Sequence, residues 1–135
     1  MDPYIDPEAL DSAHPLTRRK LENLARANRA HAARAVEFDA LPSKLTFQTT
    51  DACNLSCGHC QIPSLLKHAS MDPGLLDLLS AQLLPDLIEL HPTNVGEPFA
   101  WPHFRRLCAD LLEYGVVLDL TTNGSHRPVS WWAET

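Results

Sequence analysis

Lys44-Leu45-Thr46-Phe47-Gln48-Thr49-Thr50-Asp51-Ala52-Cys53-Asn54-Leu55-Ser56-Cys57-Gly58-His59-Cys60 is the stretch from which the rest of the chain is read. Its first seven residues alternate apolar and polar side chains and are rich in Thr, the pattern of a β-strand. Three cysteines follow within eight residues, spaced C-x3-C-x2-C. They lie in a loop after the strand, at the edge where α/β sheets and barrels place their chemistry. A loop this tight does not suit structural disulfides in a reducing compartment. Soft sulfur ligands select zinc, copper(I) or iron–sulfur clusters. Structural zinc sites use four ligands, commonly as two pairs. Three thiolates in one run suit a cubane cluster with one iron left open, whereas ordinary clusters take four cysteines.

Downstream, the pattern alternates between helix and strand. Met71-Asp72-Pro73-Gly74 predicts a helix start, with Asp72 as N-cap and Pro73 at the first helical position. Leu75, Leu76, Leu78, Leu79, Leu83 and Leu84 supply its apolar stripe, and Pro85 follows. Leu87-Ile88-Glu89-Leu90-His91 predicts a second strand, which leads into Pro92-Thr93-Asn94-Val95-Gly96-Glu97-Pro98. Trp101 to Tyr114 predicts a second helix, stopped by Gly115 in the C′ position. Cys108 shares helical spacing with Phe104, Leu107, Leu111 and Leu112, so it is expected to be a core thiol. Val116 to Thr121 predicts a third strand, apolar apart from Asp119 and Thr121, as expected of a covered parallel sheet. It ends in Thr122-Asn123-Gly124. Alternating β and α implies a parallel sheet with all three loops at one edge.

The C-x3-C-x2-C loop after a first strand, the Gly96-Glu97-Pro98 segment after a second and Thr122-Asn123-Gly124 after a third resemble the radical S-adenosylmethionine (radical SAM) superfamily. The resemblance spans about residues 44–124. The fold it implies is a partial (βα) barrel, of which about three βα units are present here. It implies that Cys53, Cys57 and Cys60 hold a 4Fe–4S cluster, and that S-adenosylmethionine binds the remaining iron. Glu97 and the backbone near Gly96 and Pro98 are then expected to hold the amino group of the methionine moiety. His59, before the third cysteine, is expected against the adenine, and Asn123 in a turn or at the cofactor or substrate. Val95 stands where the family often has the first glycine of Gly-Gly-Glu-Pro, and Val disfavours positive φ. The implied reaction is reductive cleavage of S-adenosylmethionine to a 5′-deoxyadenosyl radical, which takes hydrogen from a substrate. An external electron donor is implied as well.

Upstream, residues 1–15 hold four acids and three prolines and are expected to be an irregular tail. From Leu16 to about Phe38 an Ala-rich helix with a basic face is expected, with Thr17 as its cap. That helix carries six of the chain's eleven Lys and Arg residues. It should end before Pro42, which disfavours helical Leu41. This gives three parts: a tail at 1–15, a helical segment at 16–42 and the core at 43–135, equivalent to the first half of such a barrel.

Composition narrows the classes. A 135-residue chain with 44% hydrophobic residues fits one small globular domain. No run of about 18 apolar residues suggests a membrane span. No secretory h-region precedes the core, and the clustered cysteines point to a cytoplasmic metal site and not a disulfide frame. A net charge of -6 gives no support for a general nucleic-acid surface. Eight βα units occupy about 250 residues, so three units leave two open sheet edges and invite a complementary polypeptide or self-association. Trp131 and Trp132 are expected to cover an edge or to meet a missing element. The readings left beside an enzyme are a cluster- and cofactor-binding module, and a zinc-stabilised domain.

Overall fold

The computed structural model describes residues 14–58, 60 and 69–133. The expectations for His59 and for tail residues 1–13 lie outside the described residues, whereas Pro15, expected in the tail, is the first residue of the first helix. The architecture is mixed α/β, with a three-stranded parallel sheet of order β1-β2-β3. Helix α1 (Pro15–Ala32) precedes β1 (Lys44–Thr46). Helix α2 (Gly74–Gln82), β2 (Glu89–His91), a 3-10 turn (Pro98–Ala100), α3 (Phe104–Glu113), β3 (Val117–Leu118) and α4 (Val129–Ala133) follow.

The strands are shorter than their sequence pattern. Leu45 pairs with Leu90, and Leu90 with Leu118. Pro92 ends the β1–β2 ladder because it carries no N–H. Thr49 and Thr50 then turn away, and Thr50 bridges antiparallel to Ser70.

Alternation divides the sheet into two faces. Leu90 is fully buried, and Leu45, Phe47, Leu118 and Leu120 pack on the same core with Leu76, Leu84, Phe104, Leu107 and Leu111. Each such fully buried side chain contributes about 1.5–3 kcal/mol. The opposite face is polar apart from exposed Val117, the register partner of Glu89. It carries the Lys44–Glu89 pair at 2.9 Å and the His91–Asp119 pair at 3.3 Å. Cys108 is half-buried beside the core, and desolvation pushes its thiol pKa up.

Both helix ends that glycine or charge could mark have local causes. Gly115 takes φ 60°, and Val116 N–H donates to Leu111 O at 2.8 Å, while Gly115 N–H donates to Leu112 O at 3.1 Å. This is a Schellman closure, as the position of Gly115 predicted. Helix α1 stops at Ala32, short of Phe38, through the same motif with Arg34 in the left-handed position at φ 52°. Ala35 N–H reaches Ala30 O and Arg34 N–H reaches His31 O. A non-glycine closure leaves no compositional mark, so the sequence reading overran it. His14 caps the N-terminus through Nδ1, in place of Thr17, with Pro15 at the first helical position. Helix α2 begins at Gly74 with Pro73 in the N-cap position, one residue later than expected, so Asp72 is not its N-cap. The Asp72 carboxylate instead accepts from Gly74 N–H at 2.7 Å in the turn that leads in.

Helix α1 fastens the segments that lead into all three strands. Asn23, fully buried, exchanges two 2.9 Å hydrogen bonds with the backbone of Leu41, ahead of β1. Arg19 makes a bidentate pair with Asp86, ahead of β2. Lys20 donates to Tyr114 O at 2.6 Å and Gly115 O at 2.8 Å, ahead of β3. Burial lowers the Lys20 pKa, opposed by nearby Asp86. Part of the basic face is therefore structural. At the other end of the chain, Trp131 and Trp132 stack edge-on against Phe99 at 5.2 and 4.5 Å. The partner surface the tryptophans required lies within the chain. Among the described residues, no helix is long and apolar enough to cross a membrane.

Candidate metal and cofactor site

Parallel strands put the three sequence motifs at one edge of the sheet. Loop one follows β1 and carries the cysteines. It is anchored to the strand end of β2 and to the backbone ahead of α2. Phe47 N–H donates to His91 O at 3.1 Å, and the Thr49 hydroxyl donates to Pro92 O at 3.1 Å. Met71 N–H donates to Thr49 O and Asp51 N–H to Ala69 O. The Thr50 hydroxyl donates to Ala69 O at 3.1 Å and accepts from Ala52 N–H at 3.1 Å. Thr49 and Thr50 are each 1% exposed. Buried threonines thus fix the backbone up to Ala52.

Beyond that point the loop is open. Cys53 and Cys60 are exposed, Cys57 is half-buried, and all are free thiols. A turn brings Cys60 N–H to Cys57 O at 3.0 Å. Two donors face the Cys53 sulfur: Leu55 N–H at 3.4 Å and Asn123 Nδ2 at 3.6 Å. Among the described residues, no three Cys, His, Asp or Glu side chains are gathered as a preformed metal centre.

Loop two closes on loop one through Gly96. Its φ is +82°, and a Cβ there would lie 2.9 Å from the Asp51 backbone and closer still to Thr50 O. Only glycine permits this approach. The next N–H, that of Glu97, donates to Ala52 O at 2.8 Å. Val95 does not need a positive φ; Arg34 is the one described non-glycine residue that has it. Val95 N–H instead donates to Gln48 Oε1 at 3.1 Å.

Glu97 joins loop two to loop three. It is 1% exposed. Oε1 accepts from the Thr122 hydroxyl at 2.6 Å and from Phe99 N–H at 3.4 Å. Oε2 accepts from Asn123 N–H at 2.8 Å. A carboxylate offers about four acceptor positions, so roughly one remains for a ligand. Pro98 starts the 3-10 turn behind it and is buried with Phe99. Thr122, Gln48 and Thr50 are the residues the sequence reading missed as site builders. Their signal was polar side chains at the C-terminal ends of the predicted strands, where loop chemistry is placed.

The donor chemistry fits a soft metal centre: three unpaired thiols on one loop, with N–H groups facing one sulfur. A ligand is also suggested by two buried acceptors that lack a partner, Asp51 Oδ1 and Thr93 Oγ1. Thr93 lies just past the end of β2 and Asp51 further along the loop after β1, and a polar ligand there would satisfy them. The three thiols are not preassembled, so holding one metal centre would require the cysteine loop to tighten, as where metal binding is coupled to folding.

No protein-family model, curated protein or solved structure matches this chain.

Proposed function

We propose that this chain binds a 4Fe–4S cluster through Cys53, Cys57 and Cys60, and S-adenosylmethionine beside it, in the manner of radical SAM proteins. One observation carries the reading. The cysteine loop, the Gly96-Glu97-Pro98 loop and the Thr122-Asn123-Gly124 loop, which are far apart in sequence, are hydrogen-bonded together at one sheet edge through Glu97 and Asn123. When bound, such a pair supplies one-electron cleavage of the sulfonium and the power to abstract hydrogen from a substrate. The chain's own residues do the remainder. Thiolates of the three cysteines hold the metal. Glu97, with its remaining acceptor position, receives an amine N–H of the methionine moiety. Asp51 Oδ1 and Thr93 Oγ1 offer further acceptors at the same edge. The Gly96 approach keeps loops one and two in register.

A second reading is a cluster- and cofactor-binding module completed by another polypeptide. It is favoured by apolar side chains beside the free edge of β3: Val117 is 59% exposed and Leu112 83%. An unpaired strand edge flanked by such side chains favours further pairing.

Anaerobic iron–sulfur reconstitution tests the first part. The expected product is brown, with absorption near ~400 nm and about four irons per chain, and Cys57→Ala removes it. A colourless product that retains zinc sinks the proposal in favour of a structural zinc domain. Formation of 5′-deoxyadenosine under reducing conditions distinguishes an enzyme from a module.

A further inference from the structure

We propose that Asn123 is a positioning residue: its side-chain amide holds the Cys53 sulfur and thereby tunes the metal centre that Cys53 ligates. The metal part of this inference rests on the cluster reading above; the sulfur contact does not.

The argument starts with the amide's orientation. Asn123 Oδ1 accepts from the backbone N–H of Ser125 at 2.8 Å and from its hydroxyl at 2.9 Å. A backbone N–H only donates, so the oxygen must face Ser125 and the nitrogen must face the other way. That other side holds Cys53 Sγ at 3.6 Å and Asn54 Oδ1 at 3.1 Å. Asn54 is tied in turn to the Ser125 hydroxyl through its own Nδ2 at 3.1 Å. The main chain of Asn123 is fixed independently, by donation to the buried Glu97 carboxylate. Asn123 is therefore held at its N–H, its Oδ1 and its Nδ2, and the Nδ2 is shared between Asn54 Oδ1 and the Cys53 sulfur. A free turn residue needs only the Ser125 contact.

The functional consequence follows from charge. An N–H aimed at a ligating sulfur stabilises negative charge there, and hydrogen bonds to sulfur are one determinant of cluster potential. Asn123 thus favours the reduced, more negative state of the centre. Through Glu97 it also ties that sulfur to the loop that receives the cofactor amine.

Two variants separate sulfur donation from turn building. Asn123→Asp keeps the acceptor for Ser125 and loses the donor to Cys53. Asn123→Ala loses both without adding charge. After anaerobic reconstitution, the midpoint potential of each is read by dye-mediated titration followed by electron paramagnetic resonance. Both are expected to fall below wild type, while Asn123→Asp keeps the wild-type denaturant midpoint. An unchanged potential in Asn123→Ala overturns the tuning role.

A second measurement uses iron-free, nitrogen-15-labelled protein and does not depend on either variant folding. Cys53→Ala is expected to move the Asn123 side-chain amide resonances more than Cys57→Ala does. Resonances that respond equally, or not at all, overturn the sulfur contact. Should wild type take up no iron while Cys53→Ala still moves that amide, the cluster reading and the tuning role fall and the contact alone stands.

Discussion

Gly96→Ala gives the sharpest test of how the site is assembled. Alanine at φ +82° is strained by roughly 1–2 kcal/mol, the cost of left-handed backbone for a residue with a Cβ. The added methyl also meets the Asp51 backbone at 2.9 Å and Thr50 O. These are main-chain atoms, so neither can rotate aside. Overpacking of this kind costs about 1–3 kcal/mol. The sum is about 2–5 kcal/mol, a large share of the ~5–15 kcal/mol that stabilises a typical domain. Gly115→Ala is the matched control. It has φ +60° and nothing within 4 Å of its added Cβ, so it carries only the backbone strain. Urea unfolding with a slope of about 2 kcal/mol/M places the Gly96→Ala midpoint roughly 1–2.5 M below wild type. Displacing Thr50 also separates Ala52 O from Glu97 N–H, so iron uptake on reconstitution should fall in Gly96→Ala and not in Gly115→Ala. The reasoning is refuted if the two variants unfold within about 0.5 kcal/mol of each other, the usual limit for benign substitutions.

Glu97→Gln replaces two acceptor oxygens by one oxygen and a donor, so Thr122 or Asn123 N–H loses its partner; destabilisation of about 1–3 kcal/mol by urea unfolding is expected. Lys20 has a folded pKa below 10.5, so the unfolded chain binds more protons in the window beneath that value. Wild-type stability relative to Lys20→Met should therefore rise as pH climbs toward 10.5, as followed by denaturant midpoints; a difference that falls over that range contradicts the buried ammonium. Alkylation of the iron-free native protein, mapped by mass spectrometry, should mark exposed Cys53 and Cys60 well before Cys108, whose burial raises its pKa. Light scattering at low micromolar concentration should show association through the open sheet edges, and a clean monomer argues against that.

Much of the layout was legible because it is written in local chemistry. Leu76, Leu84, Leu90, Leu107 and Leu111 sit at helical or strand spacing, and each is in the core. Gly115 announced the end of α3 because few other residues take its φ readily. The stop of α1 at Arg34 was not legible, since an arginine in left-handed backbone follows from hydrogen bonds to Ala30 and His31 and not from its own preference. Strand lengths were overread for a related reason. Val116 to Thr121 has strand composition throughout, but a strand exists only where a neighbour offers a ladder, and β2 offers three residues.

The sequence by itself determined the order of elements from α1 to β3 apart from the 3-10 turn, the parallel α/β class and the presence of three sulfur donors on one loop, because periodicity and residue type act over a few positions. Tertiary structure alone decided that Glu97 is buried between Thr122 and Asn123. It also decided that Asn123 reaches Cys53, and that Lys20, Arg19 and Asn23 anchor the segments leading into the strands. Those partners are 18 to 95 positions apart, so their pairing depends on where the sheet brings distant backbone together, which no local pattern encodes.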